Sequence, residues 1–397
     1  VADDLLKVVA RPSGLFDGFL ETCLRPRIEE GLRVVGLSVH GSSHLPFSLR
    51  IAAWLKSRWP DLVVVLGGPW CLAAGDVISE APAFFDTVDG VCTGEGEAAL
   101  SALVEALRDG EDIGDVPGFL IRDDGVVRHT GAAPEIALTA LGPPDYSDVD
   151  WDLQPERLIA FRTVKGCTWS RCLFCYHVRC DEPVAGATVG LSDEQAKDLR
   201  TLVRWSVDSG QVDGLFLADN AAPMAVLDDV ASILEAEGAP IPWESMARFE
   251  PGITPDRAAA WGRGGCRGLS FGLETVDLDE LERLEKGIRT DEAEACLAAC
   301  TAAGISTGVY ILDYPSQPTH AYEDTLKWLI ERAGDVGDMI PQRFVLGRSS
   351  GAYRHPDKLG LTVRDEHSAW FDVFNIPFDT SGWRSPEGFR ETTEDAM

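Results

Sequence analysis

Cys167, Cys172 and Cys175 stand in a C-x4-C-x2-C spacing inside 161-FRTVKGCTWSRCLFCYHVRC-180, with Cys180 trailing behind. Thiols clustered this closely, in a large chain that scatters its other cysteines, predict a bound metal. Two chemistries compete for the spacing. A structural zinc ion takes four ligands, and Cys180 or His177 would complete the set. Zinc knuckles, however, come as two C-x2-C pairs across a longer loop, and this segment holds a single such pair. Three thiolates alone ligate three irons of a 4Fe–4S cube and leave the fourth iron open to a second molecule. Lys165, Arg171 and Arg179 and the aromatic residues Trp169, Phe174 and Tyr176 are interleaved with the thiols. Cys296 and Cys300, four apart on an apolar helical face, and Cys23, Cys71, Cys92 and Cys266 read as packing residues.

A loop of this kind needs a rigid scaffold, and the sequence around it alternates between strand and helix patterns. Candidate strands at 158–163, 214–219, 243–248, 267–272, 306–312 and 340–346 are separated by helical stretches at 193–209, 225–238, 255–265, 290–304 and 320–334. About six βα units joined by right-handed crossovers predict a partial (β/α)6 barrel of the TIM type. The chemistry of such barrels sits at the C-terminal ends of the strands, where the cysteine loop falls. Upstream, strands at 33–39, 62–68 and 88–94 alternate with helical stretches at 47–60, 77–85 and 95–107. That half predicts a Rossmann-like parallel sheet. The stretch 117-PGFLIRDDGVVRHTG-131 predicts a hairpin that turns at Asp124 and Gly125. The expected class is therefore α/β, with a domain over 1–125, a Pro- and Asp-rich linker over 126–157, a barrel over 158–347 and a tail over 348–397.

The whole chain agrees with two domains at 397 residues. A formal charge of −30 argues against nucleic acid as a partner and favours a neutral or locally cationic substrate. No apolar run approaches the roughly 20 residues that cross a membrane. The stretch after Val1 lacks a basic-then-apolar leader, so a cytoplasmic address is expected.

The segment 166-GCTWSRCLFC-175 resembles the cysteine loop of the radical S-adenosylmethionine (SAM) enzymes, in a variant found in peptide natural-product maturation. The commoner spacing in that family is C-x3-C-x2-C, one residue shorter. The resemblance implies that Cys167, Cys172 and Cys175 ligate a 4Fe–4S cluster, that Cys180 does not, and that SAM binds the open iron with Tyr176 near its adenine. The stretch 265-GCRGLSFGLETVDLDELERLEKG-287 is similar to a family segment that sets an acid at the barrel mouth, which makes Glu274 a SAM contact. The stretch 304-GISTGVYILDYPSQPTHAYEDT-325 is similar to another, whose backbone packs on adenine near Ile311. Asp313, Ser316 and Gln317 stand there in place of the family's two glycines and acid. Asp219 and Arg248, at intervening strand ends, are implied as further SAM contacts.

In the first half, 36-GLSV-39, 66-LGGPW-70 and 93-TGEGE-97 resemble strand ends of the cobalamin-binding domain that precedes many radical SAM methyltransferases. Glycines there let the backbone approach a large ligand. The resemblance implies cobalamin contacts at Ser38, Gly67, Gly68, Pro69, Trp70, Gly94 and Glu95. The chain has no D-x-H-x-x-G, so the corrin's lower face is expected against protein, with His40 and His44 as loop histidines. Together these resemblances imply a cobalamin-dependent radical SAM methyltransferase acting on an unactivated carbon of a ribosomally made peptide or small natural product. A reductant protein such as flavodoxin or ferredoxin would supply its electrons. Two other readings stand beside it. One is a radical SAM enzyme without functional cobalamin that performs epimerisation, cross-linking or rearrangement. The other is a non-catalytic, metal-stabilised peptide-binding protein.

Overall fold

Short, mostly apolar runs become strands, and the stretches between them become helices that bury one face. The computed structural model describes residues 14–177, 190–364, 372–385 and 389, which divide into two units.

The first unit comprises residues 1–136 and 364–377. Its sheet runs in the order β1 (Val34–Ser38), β2 (Val63–Gly67), β3 (Gly90–Cys92), β4 (Phe119–Asp123), β5 (Val126–His129). The first three strands are parallel, with Ser38 opposite Gly67 and Val65 opposite Gly90. The last two form the expected antiparallel hairpin. Its turn residues Asp124 and Gly125 have φ of 46° and 80°, as a type I′ turn requires. Helices Leu45–Arg58 and Pro69–Ser79 cover one face through Leu49, Ala52, Leu55, Ala74 and Ile78, packed with Val64 and Leu66. Helix Gly96–Asp109 covers the other through Ala99, Leu103 and Ala106, packed with Val65, Phe119 and Ile121. The expected limit at residue 125 is corrected here: it cuts the hairpin, because β5 pairs with β4 along its whole length.

The second unit comprises residues 137–363 and 378–397. Six parallel strands lie in chain order: β6 (Leu158–Phe161), β7 (Gly214–Leu217), β8 (Trp243–Ala247), β9 (Cys266–Glu274), β10 (Ser306–Asp313) and β11 (Asp338–Arg343). Helices Asp193–Ser209, Met224–Ala236, Pro255–Arg263, Thr290–Ala302 and Thr319–Glu331 alternate with them, close to the predicted spans. Ile159, Leu217, Phe271, Val309 and Ile311 on one face of the sheet join Leu202, Val230, Trp261 and Leu297 of the helices in a single core. Ala160, Phe216, Met246, Ser270 and Tyr310 alternate onto the other face and stay half-buried, following the two-residue period of a strand. β6 and β11 are the sheet's edges, so the barrel is partial.

The stretch expected as a linker has a structural role. The Tyr146 hydroxyl donates to the carbonyl of Ala160 at 2.8 Å and accepts from its N–H at 2.9 Å, capping the edge strand β6. The expected separate tail is also corrected. Val373 packs in the core of the first unit. β12 (Leu361–Val363) and β13 (Phe378–Thr380) pair in the second, and beyond them Trp383 Nε1 and Arg384 Nη1 donate to Asp313 at 2.9 and 2.8 Å. Cys180 lies outside the described residues.

Candidate functional site

The cysteine loop is pinned where it leaves β6. Asp219, just beyond the end of β7, accepts from the backbone N–H groups of Thr163 and Val164, both at 2.9 Å, and from the Thr163 hydroxyl at 2.6 Å. Burial pushes this carboxyl above its ordinary range, against those hydrogen bonds and Arg162, which favour the charge. The Thr163 carbonyl accepts from Gln195 Nε2 at 2.6 Å, and Gln195 belongs to the capping box that starts helix Asp193–Ser209. Asp219, expected at SAM, thus has a described task in positioning the loop.

Further along, the loop rests on the turn 284-LEKG-287. Trp169 Nε1 donates to the Glu285 carbonyl at 2.7 Å, and the Leu173 N–H donates to the Leu284 carbonyl at 3.0 Å. Glu285 and Gly287 are both left-handed, with φ of 54° and 62°. A Cβ at Gly287 would overlap the Trp169 indole, so glycine is required by space as well as by φ. Arg248 stacks on the same indole at 4.6 Å and donates to the Lys286 carbonyl at 2.7 Å. On the other side, the Ala352 N–H donates to the Leu173 carbonyl at 2.7 Å, and Ser349 Oγ donates to the Tyr176 carbonyl at 2.7 Å. Cys167, Cys172 and Cys175 are each half-buried.

Glu274 closes β9 in a left-handed conformation, φ 68°, at a bulge where β9 advances an extra residue against Tyr310 and Ile311. Its carboxylate is buried, and Oε1 accepts from Lys286 Nζ at 2.8 Å. No described residue donates to Oε2. Desolvation works against the Lys286 ammonium, but Glu274 and then Cys172 outweigh it and hold the group above the usual lysine range. Burial pushes the Cys172 thiol up, opposed by Lys286 and Arg248. Cys172, Glu274, Arg248 and Lys286 therefore share one electrostatic environment. Ile311 is fully buried, its side chain in the core between sheet and helices. Tyr176 is half-buried with its ring 4.2 Å from that of His177. Lys286 and the 284–287 turn were not singled out from the sequence, although they lie within the stretch quoted for Glu274.

Beside the loop a cleft of about 510 Å³ is lined by Trp169, Met224, Arg248, Phe249, Glu250 and Arg257. A cleft of about 500 Å³ at the opposite ends of β6 to β8, around Arg157, Asp213 and Trp243, borders none of the loop cysteines. Among the described residues, no three His, Cys, Asp or Glu side chains gather as ligands of one metal ion. The donor set suits a larger group: three thiols on one short braced loop, with two cations beside them to offset the negative charge of a thiolate-ligated cluster.

In the first unit, Ser38, Gly67 and Gly94 fall at or just beyond the C-terminal ends of β1, β2 and β3, the side where parallel α/β sheets bind ligands. Ser38 and Pro69 are exposed, Gly67, Gly68, Gly94 and Glu95 half-buried, and a Cβ at Gly94 would meet open space. This open rim of small residues suits a broad ligand such as a corrin. Trp70 departs from expectation. It is fully buried and stacks on Phe84 at 6.4 Å, so it is a core residue with no surface to offer. Gly68 is required by its own unit, since its φ is 98° and a Cβ would lie 2.9 Å from the Val39 carbonyl oxygen.

No protein-family model matches the chain. An uncharacterized methyltransferase of Pyrococcus horikoshii is 24% identical over 287 residues, covering 70% of this chain and 60% of that protein. The hopanoid C-3 methylase of Methylococcus capsulatus is 22% identical over 327 residues, covering 75% and 56%. This chain thus spans about 60% of the length of such relatives. Among solved structures, the cobalamin-dependent SAM radical enzyme OxsB, with aqua-cobalamin and SAM bound, superposes with a TM-score of 0.73 at 17% identity, over 94% of this chain and 59% of its own. The radical SAM methyltransferase TsrM from Kitasatospora setae, with cobalamin and a 4Fe–4S cluster bound, gives 0.65 at 16% identity, over 95% and 79%. The chain shares the fold of these cobalamin-dependent radical SAM enzymes. The second unit accordingly has the fold of a partial parallel barrel with its cysteine loop after the first strand. The first unit is Rossmann-like in its three parallel strands.

Proposed function

We propose that this protein is a radical SAM methyltransferase that uses a 4Fe–4S cluster, SAM and cobalamin to methylate an unactivated carbon of a peptide or small natural product. The observation that carries the reading is the braced loop of three cysteines after the first strand of a partial parallel barrel, beside the buried Glu274 carboxylate. When bound, the cluster with SAM supplies a 5′-deoxyadenosyl radical, and cobalamin supplies the methyl group. Cys167, Cys172 and Cys175 hold the cluster. Glu274 offers Oε2 to a donor on SAM, its other oxygen being fixed by Lys286. Tyr176, Arg248 and the backbone at Ile311 flank SAM, and Asp219 holds the start of the loop in register. Ser38, Gly67, Gly68, Pro69, Gly94 and Glu95 carry the corrin. The charge of −30 supports a substrate with a neutral or cationic segment, and an electron-donating protein such as flavodoxin or ferredoxin completes the system.

The test is anaerobic reconstitution with iron, sulfide, cobalamin and SAM under reducing conditions. The expected outcome is charge-transfer absorbance, a corrin spectrum, and release of 5′-deoxyadenosine and S-adenosylhomocysteine. Alanine at Cys167, Cys172 or Cys175 abolishes the cluster absorbance and SAM cleavage, whereas Cys180→Ala keeps both. SAM cleavage without any corrin uptake would replace this reading with a cobalamin-free radical SAM reaction.

A further inference from the structure

Lys286 is a buried cation whose stated part so far is to fix one oxygen of Glu274 and to lie beside the cysteine loop. It is 7% exposed, and its ammonium has three donors, of which the described residues engage one, at Glu274 Oε1. The ammonium lies 5.8 Å from the ring of Phe174, the residue between Cys172 and Cys175 in the loop. Its backbone is held by Arg248, and its neighbours Leu284 and Glu285 accept from the loop at Leu173 and Trp169. The left-handed residues on either side turn successive side chains apart. Glu285 points out to Lys358 at 2.5 Å, while Lys286 points in to Glu274. At Gly272, facing the pair, a side chain would strike both Glu274 and Lys286. The same turn that braces the cysteine loop therefore delivers one positive charge beneath it.

We propose that Lys286 is the internal counter-charge of the cysteine loop, and that its balance with Glu274 sets the reduction potential of the cluster held there. The inference rests on the cluster reading above and goes beyond it by assigning what poises the cluster. Reduction adds negative charge. A nearby buried cation stabilises the reduced form, and a nearby buried carboxylate opposes it. The acidic surface cannot substitute, because exposed charges beyond about 8–10 Å are screened at ordinary ionic strength.

The test is a redox titration of the reconstituted cluster, followed by electron paramagnetic resonance without SAM. Lys286→Met is expected to shift the midpoint potential to more negative values. Glu274→Gln, which keeps the size of the side chain and an acceptor for Lys286, is expected to shift it to more positive values. Lys358→Met, which removes the exposed cation paired to the same turn, is expected to leave it unchanged. Shifts of the same sign in the first two variants, or no shift in either, overturn the inference. If Lys286→Met fails to assemble a cluster, Glu274→Gln decides alone, and a potential that stays put or falls overturns it. Failure of the unaltered protein to form a cluster would instead overturn the functional reading on which this one rests.

Discussion

Glu274 combines strain and burial in one residue. A left-handed backbone costs a non-glycine residue about 1–2 kcal/mol, and the cost persists because β9 bulges there and Lys286 fixes the carboxylate. Under the proposed function, Glu274→Ala removes a hydrogen bond to SAM, and it also strands Lys286. The expected result is SAM binding weakened about tenfold to a hundredfold, from roughly 1.5–3 kcal/mol, together with a stability loss of about 3–5 kcal/mol from the unpaired buried cation. Calorimetry with SAM and urea unfolding separate the two effects. An unchanged SAM affinity in a folded variant would confine Glu274 to its ion pair. The thiols and Glu274 were legible in the sequence because they sit in spaced motifs. Lys286 was not, because one lysine in a charged stretch carries no signal of burial. Its inward course is set by the paired left-handed residues, and only Gly287 hints at these. Trp70 shows the converse, since a strand-end neighbour of two glycines was read at the surface while the fold seals it against Phe84.

At the scale of elements, periodicity located the strands and helices well, because each buries a single face against a common core. It failed between 132 and 157, where no period exists to read. There a few aromatic side chains do the packing, with Tyr146 and Trp151 set against Trp205 at 6.1 and 6.4 Å. The Tyr146 hydroxyl also satisfies both polar groups of Ala160 on the open edge of β6. Tyr146→Phe keeps the ring and removes the cap. The expected cost is about 1–3 kcal/mol in urea unfolding, with unchanged circular dichroism. A loss close to zero would mean that solvent replaces the hydroxyl.

For the whole molecule, the corrin site proposed on the first unit makes a distinct prediction. Corrin uptake is expected to survive the double substitution His40→Ala and His44→Ala, read from the visible spectrum after desalting. Gly68→Val is expected to reduce uptake by disturbing the Val39 backbone, with a matching fall in thermal stability. The two α/β halves were legible from alternation alone, but their limits were not, because the chain returns to each of them. Residues 364–377 belong with the first unit although 137–363 intervene, and 378–397 belong with the second. In genetic terms, neither unit can be exchanged by a single crossover. A breakpoint after 136 would part Val373 from the core it completes, and one after 363 would part Arg384 and Trp383 from Asp313. A recombinant that kept both units whole would need breakpoints at 136, 363 and 377 together, so the two are inherited as a set.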